Sequence, residues 1–346
     1  MDIFVSEFIT GGGWPDAPPP VSLVREGRAM LAAFVADAAD LPGCRIVTTC
    51  DSRLDVEPFE HADVETAAVS GPAEERRVFG RLAGQCDATF VIAPEFENIL
   101  AERRHIVESV GGLFLGSSRQ AIELCADKLH LAEHLQRHSI PTIVTTALNT
   151  AAPFTPGEPL VVKQRDGAGS QNVFLARTRR EWDAATEAFH GAPRHSGPIV
   201  QSYVSGKALS VAAIVASGNH DVEVLPTGAQ QLSDDGRFRY AGGSIPVAPS
   251  QNDEVEDLIT KACNAIAGLS GYIGFDLILP DSDANEPIIV EINPRLTTAY
   301  LGYRTLTESN LAERILFPER PFVPLSWKNG RTTFQANGEW TYREKT

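Results

Sequence analysis

An α/β protein with a parallel sheet in its N-terminal part is the fold class this sequence predicts, and three stretches predict it. Residues 1 to about 115 alternate short apolar runs with helical periodicities, the pattern of strands covered by helices in a parallel sheet. Residues 159–176 carry a lysine-bearing strand into a glycine-containing turn and back again. Residues 274–279 and 288–295 form an Ile- and Val-rich strand pair into which Asp276, Glu291 and Asn293 are set. Glu291 and Asn293 are two apart on a strand and so point to one face. A buried carboxylate without a partner is very costly, and Mg²⁺ is a natural partner, because it takes oxygen from one or two carboxylates plus substrate phosphates. Arg295 adds a planar fork suited to phosphate or carboxylate. The competing reading is that these acids sit at strand ends and pair with surface lysines.

In chain order, residues 2–9 read as a first strand that turns out at Thr10-Gly11-Gly12-Gly13. The G-x-G-x-x-G pattern is not completed there, so a small-substrate loop at a strand end fits better than a phosphate loop. Four prolines follow within residues 15–20, and residues 21–39 return apolar side chains at helical spacing. Strands near 45–49 and 88–93, helices near 73–85 and 97–110, and a short strand at 113–115 complete the first unit. Glu95 and Glu97, just after an apolar strand, fit either an amine contact or the N-terminus of the next helix. Ser117 and Gln120 suit a capping box. Asp127 caps the next helix, leaving Lys128 at an N-terminus where a cation is unfavourable unless it reaches an anion. Residues 159–164 are a strand carrying Lys163, residues 165–171 the glycine turn, and 172–176 the returning strand. Backbone amides of such a turn can cradle phosphate oxygens while Lys163 supplies point charge. Residues 233–243, polar and glycine-rich with Arg237 and Arg239, suit either a mobile lid or a solvated hairpin. A helix at 253–268 leads back to the acidic strand pair, and the proline-rich segment after Phe317 is surface structure.

Composition narrows the function classes. At 346 residues, 43% hydrophobic and 22% charged, the chain matches an ordinary soluble globular protein of two or three units. A net charge of −15 argues against a general nucleic-acid or anionic-membrane surface, so any phosphate site must be local. The five cysteines are odd in number and form no C-x-x-C pair, which suits a reducing cytoplasm. The first ten residues lack the basic start of a signal peptide, and no apolar run is long enough to span a bilayer. His130, His134 and His138 fall at helical spacing and read as solvated rather than metal-binding.

The ordered set Lys128, Lys163 with its glycine turn, Gln201-Ser202-Tyr203-Val204-x-Gly206, Asp276 and Glu291-x-Asn293-Pro294-Arg295 resembles the ATP-grasp superfamily over about residues 116–310. The resemblance implies an ATP-grasp fold: an α/β domain at 1–115, a first lobe at 116–204, a C-terminal lobe at 205–317 and a tail at 318–346. It implies that Lys128 and Lys163 bind ATP phosphates, and that Gly167, Gly169 and Ser170 form a flap over them. Gln201, Tyr203 and Val204 would line the adenine pocket. Asp276, Glu291 and Asn293 would bind Mg²⁺ or Mn²⁺, and Arg295, with Lys163, would stabilise the transferring phosphate. Two positions depart from the family: Gln201 and Ala208 stand where many members carry acids. The stretches at 5–13 and 293–300 are similar to tyramine–glutamate ligases, the ATP-grasp enzymes of methanofuran-type cofactor synthesis. That similarity implies an ATP-dependent carbon–nitrogen ligase acting on an amino acid and an amine, compatible with a homodimer. Arg295, Thr297 and Thr298 would then lie near the carboxylate substrate, and Glu7, Glu95 or Glu97 near the amine.

Overall fold

The computed structural model describes the chain except residues 16–17, 56–58, 150–153, 168–171, 191–196, 217–220, 248–251, 282–285, 321–322 and 346. Its first unit contains β1 (Asp2–Glu7), α1 (Val21–Ala39), β2 (Arg45–Asp51), β3 (Val64–Val69), α2 (Pro72–Gln85), β4 (Ala88–Ile92), α3 (Ile99–Ser109) and β5 (Phe114–Leu115). The strands form a parallel sheet in the order β3-β2-β1-β4-β5. β1 and β4 are buried along almost their whole length, as central strands covered by helices on both faces must be. β3 is the strand that sequence periodicity missed. It is a half-exposed edge, and its Glu65 pairs with Arg45 on β2, so no continuous apolar run marks it.

The second unit holds α4 (Arg119–Ala126), α5 (Lys128–Arg137), β6 (Thr145–Ala147), β7 (Leu160–Lys163), β8 (Phe174–Ala176), α6 (Arg179–Glu187) and β9 (Ile199–Ser202). Its antiparallel sheet runs β6-β9-β7-β8. The capping box expected at Ser117 moves by one residue. Ser118 caps α4 by accepting from the Ala121 amide, while Ser117 is fully buried and bonds the backbone of Ser270 instead. Asp127 caps α5 as expected.

The third unit contains β10 (Gly206–Val215), β11 (Val222–Val224), β12 (Gly228–Leu232), β13 (Tyr240–Ile245), α7 (Asn252–Ala265), β14 (Gly271–Pro280), β15 (Ile288–Asn293), α8 (Tyr300–Leu306), α9 (Leu311–Leu316), β16 (Gly330–Gln335) and β17 (Trp340–Glu344). Its sheet runs β15-β14-β10-β12-β13-β16-β17, with β11 beside β10. The segment after Phe317 thus supplies two strands that extend the large sheet beyond β13. The β12–β13 hairpin contains residues 233–243, the segment read either as a mobile lid or as a solvated hairpin. It packs onto the second unit through Arg237 over the Phe174 ring (3.8 Å) and Phe238 against Tyr203 (6.2 Å). The first and third units share one core, where Phe34 stacks on Phe90 and approaches Tyr300. Asp37 on α1 accepts from Tyr300 and Arg304 of α8, at 2.6 Å each, so the first sheet is pinned to the third.

Candidate active site

The register between β14 and β15 places Asp276 directly opposite Glu291, with Asn293 opposite Gly274. Like charges on facing positions repel, and burial strengthens the repulsion. The arrangement persists because each acid is engaged by groups from elsewhere in the chain. Asp276 accepts from Gln230 of β12 (2.7 Å) and from the Asn293 amide (3.2 Å). Glu291 accepts from Lys163 Nζ at 2.7 Å, and Lys128 Nζ lies 3.8 Å away. Gly274 is required beside them, since a Cβ there would stand 2.4 Å from the Thr297 methyl.

The two lysines are delivered by the second unit. Lys163 ends β7, and Lys128 is the first residue of α5. Arg165 fixes this corner, binding Asp127 with two bonds of 2.6 Å while its carbonyl takes the Lys128 amide. Lys128 Nζ also donates to the Gly167 carbonyl, at the start of the glycine turn. The anion that Lys128 needs at a helix N-terminus is therefore Glu291, reached from the opposite sheet.

Electrostatics follow from burial and these pairings. Burial first, and Glu291 second, push the Asp276 carboxyl up to about 6, against the hydrogen bond from Gln230 and the pull of Arg295. Burial alone would also raise Glu291, but Lys128 and Lys163 outweigh it and hold that carboxyl below the usual range. Burial draws Lys128 below the ordinary lysine range, with Glu291 opposing.

Arg295 reaches the first unit. Its Nε donates to Glu95 Oε2 at 2.9 Å, and the side chains are only 15% and 6% exposed. Burial opposes the charged guanidinium, yet Glu95 reverses this and raises it further. The other Glu95 oxygen, Oε1, is buried with no hydrogen-bond partner among the described residues. Of the two readings given to Glu95, neither anticipates this pairing across 200 residues of sequence.

Other site candidates fall as follows. Glu7 is fully occupied, accepting from the amides of Ile9 and Thr10 and the Thr10 hydroxyl, so it builds the loop after β1. Thr297 shares a hydrogen bond with Tyr272, and Thr298 donates to Glu26, a residue that sequence reasoning passed over. The Gln201 side chain is buried and donates to Thr145, while the Tyr203 amide binds the Pro159 carbonyl. Val204 follows in the segment between β9 and β10. Gly169 and Ser170 lie outside the described residues. His134 bonds the Ala265 carbonyl and His138 bonds the His134 carbonyl. No helix among the described residues is long and apolar enough to cross a membrane.

The second and third units thus bring Lys128, Lys163, Arg295, Asp276, Glu291 and Asn293 together, and the first adds Glu95. A family model described as an ATP-grasp domain matches residues 125–299, and one described as a pre ATP-grasp 3 domain matches 44–122. Tyramine–L-glutamate ligase of Methanocaldococcus fervens is 32% identical over 315 residues, 91% of this chain and 92% of that protein. Its counterpart in Methanocaldococcus jannaschii is 29% identical over 91% of this chain and 88% of its own. An ATP-grasp superfamily protein from Archaeoglobus fulgidus shares the fold, with TM-score 0.70 and 22% identity over 97% of this chain and 92% of the other. The chain belongs to the ATP-grasp family and is an ATP-dependent ligase that forms amide bonds.

Proposed function

We propose that this ligase joins the γ-carboxyl of glutamate to an aromatic primary amine such as tyramine. One observation carries the chemistry: two facing carboxylates, two buried lysines and a buried arginine converge where the three sheets meet. The substrates rest on the two tyramine–L-glutamate ligases, each matched over about nine-tenths of both chains.

A divalent cation suits the donor set. Among the described residues no three His, Cys, Asp or Glu side chains could hold an ion by themselves. Asp276 and Glu291 with the Asn293 amide make an all-oxygen set that nucleotide phosphates would complete, as Mg²⁺ prefers, with Mn²⁺ an alternative. When bound, the ion neutralises phosphate charge and orients the phosphates.

The residues of the chain do the rest. Lys128 and Lys163 exchange Glu291 for phosphate oxygens, with Gly167 beside them. Tyr203 and Val204 present backbone groups to the adenine, and Gln201 contributes by holding that segment through Thr145. The glutamate carboxylate attacks the terminal phosphorus and ADP leaves, while Arg295 stabilises the charge that develops on the phosphoryl oxygens. The amine nitrogen then attacks the acyl carbon. A C–N bond forms, the C–O bond to phosphate breaks, and phosphate departs with the electron pair and the nitrogen's proton.

The test is ADP release from ATP, Mg²⁺ and glutamate, scanned across amines, with product masses. A γ-glutamyl amide formed with tyramine supports the proposal; ADP release yielding no γ-glutamyl amide with any aromatic amine overturns it. A pH dependence follows as well. The raised Asp276 carboxyl is protonated below about 6 and competes with the cation there. The Mg²⁺ concentration for half-maximal rate is expected to rise about tenfold per pH unit below that point and to level off above it. A constant half-saturation between pH 5 and 7.5 would remove Asp276 from the cation site.

A further inference from the structure

Beside the phosphate-facing groups lies a cavity of about 770 Å³, between the loops at the carboxyl ends of β1 and β4 and the base of the glycine turn. Phe8, Trp14 and Phe96 line it, together with Glu97, Asp166 and Gly167. It adjoins the reacting groups through the chain itself. Lys163 is followed by Gln164, another lining residue, and the Gly167 carbonyl takes the Lys128 ammonium.

The charges in the lining are unequal in kind. Arg103 is bound to Glu75 at 2.6 Å and lies over the Phe8 and Phe79 rings, and Arg76 is bound to Glu102 at 2.7 Å. Both cations are neutralised where they stand. Glu97 and Asp166 form no ion pair among the described residues; the one bond between them runs from the Glu97 amide to Asp166 Oδ2, at 3.2 Å. The net offer to a ligand is aromatic surface and negative charge, which attract an aromatic ring bearing a cation.

The local backbone is shaped to hold this lining. Glu97 and Asn98 both adopt left-handed conformations (φ 53° and 59°), a backbone strain that the surrounding structure must sustain. The turn brings the Glu97 amide onto Asp166 and Phe96 into the wall. Gly13 lies so close to Phe8 that a Cβ would stand 2.5 Å from the ring and 2.8 Å from Arg103. Gly13 allows this close packing of the cavity wall, and Trp14 follows it directly.

We propose that this cavity receives the aromatic amine acceptor. Its ring lies among Phe8, Trp14 and Phe96, and its ammonium is drawn to Glu97 and Asp166, gives its proton to solvent water there and reaches the acyl phosphate as the free amine. The assignment rests on the ligase reading above and adds the acceptor's place and the residues that select it.

The experiment uses two acceptors with the same enzyme, ATP, Mg²⁺ and glutamate. Tyramine has the ring; hydroxylamine, small and uncharged at neutral pH, traps the acyl phosphate as a hydroxamate without needing the cavity. In Trp14→Ala and Phe96→Ala, kcat/KM for tyramine relative to hydroxylamine is expected to fall at least about tenfold, the equivalent of one lost ring contact. Trp14→Phe, which keeps a ring, should recover most of the preference. Glu97→Gln with Asp166→Asn should raise KM for tyramine while leaving competition by neutral 4-ethylphenol in place. An unchanged tyramine-to-hydroxylamine ratio in both alanine variants overturns the cavity assignment alone. Absence of glutamyl hydroxamate from the unaltered protein overturns the glutamate–amine reading, and the cavity assignment with it.

Discussion

Glu291→Gln is expected to lower turnover by about 10²–10³-fold or more, in the range seen when one preorganised charge-stabilising group is lost. Glutamine has the same shape, so no cavity opens, and its oxygen still accepts from Lys163, now 2.7 Å from Glu291 Oε1. What disappears is one negative charge opposite Asp276 and between two lysines. Asp276 loses the neighbour that helps raise it, so its carboxyl moves back toward the ordinary range. The lysines lose their counter-charge in the resting protein, and Lys128, already drawn down by burial, gives up its proton more readily. The thermal midpoint should therefore move little compared with turnover, because the Glu291 side chain is 23% exposed and water can reach the corner. Circular dichroism and an Mg²⁺ titration of the rate check both halves. A variant with a normal melt and more than a tenth of the original turnover would remove Glu291 from the reaction.

The sequence was most legible where a charge interrupts an apolar run. Lys163 in a valine strand, and Asp276, Glu291 and Asn293 in Ile-rich strands, stand out because hydrophobic periodicity gives no reason for them. Asp127 and Lys128 were legible for a different reason, the conflict between a cation and a helix N-terminus. The partners of these residues were not. Gln230 is one of two adjacent glutamines in β12, and only the fold reveals that it donates to Asp276. Glu95 could be singled out, but its partner is 200 residues away and no local signal joins them. Glu7 looks from sequence like a free carboxylate beside a glycine turn, yet its oxygens are consumed by that turn. The edge strand β3 and the added strands β16 and β17 were lost because half-exposed strands carry as much polar as apolar character. Ser117 and Ser118 are adjacent serines, and only the contact with Ser270 decides which one caps.

Arg295→Met separates structure from chemistry when paired with Glu95→Gln. Removing the guanidinium leaves Glu95 buried with neither oxygen satisfied among the described residues, since Oε1 has no partner there and Oε2 depends on Arg295. Breaking a buried ion pair from one side typically costs about 3–5 kcal/mol, so the single variant should unfold at markedly lower denaturant. Arg295 also holds down the Asp276 carboxyl, and its loss raises that group further and weakens the cation site. Turnover should fall at least as far as in Glu291→Gln. In Arg295→Met with Glu95→Gln no charge is left stranded, and replacing a whole buried pair is often close to neutral. Most of the lost stability should return, giving a coupling energy of at least about 2 kcal/mol across the cycle. Turnover should not return, because the neutral pair cannot meet the charge that develops on the transferring phosphoryl group. If stability and turnover recover together, Arg295 serves to neutralise Glu95 and the phosphoryl role passes to the lysines; if stability alone recovers, the guanidinium acts on the reacting group itself.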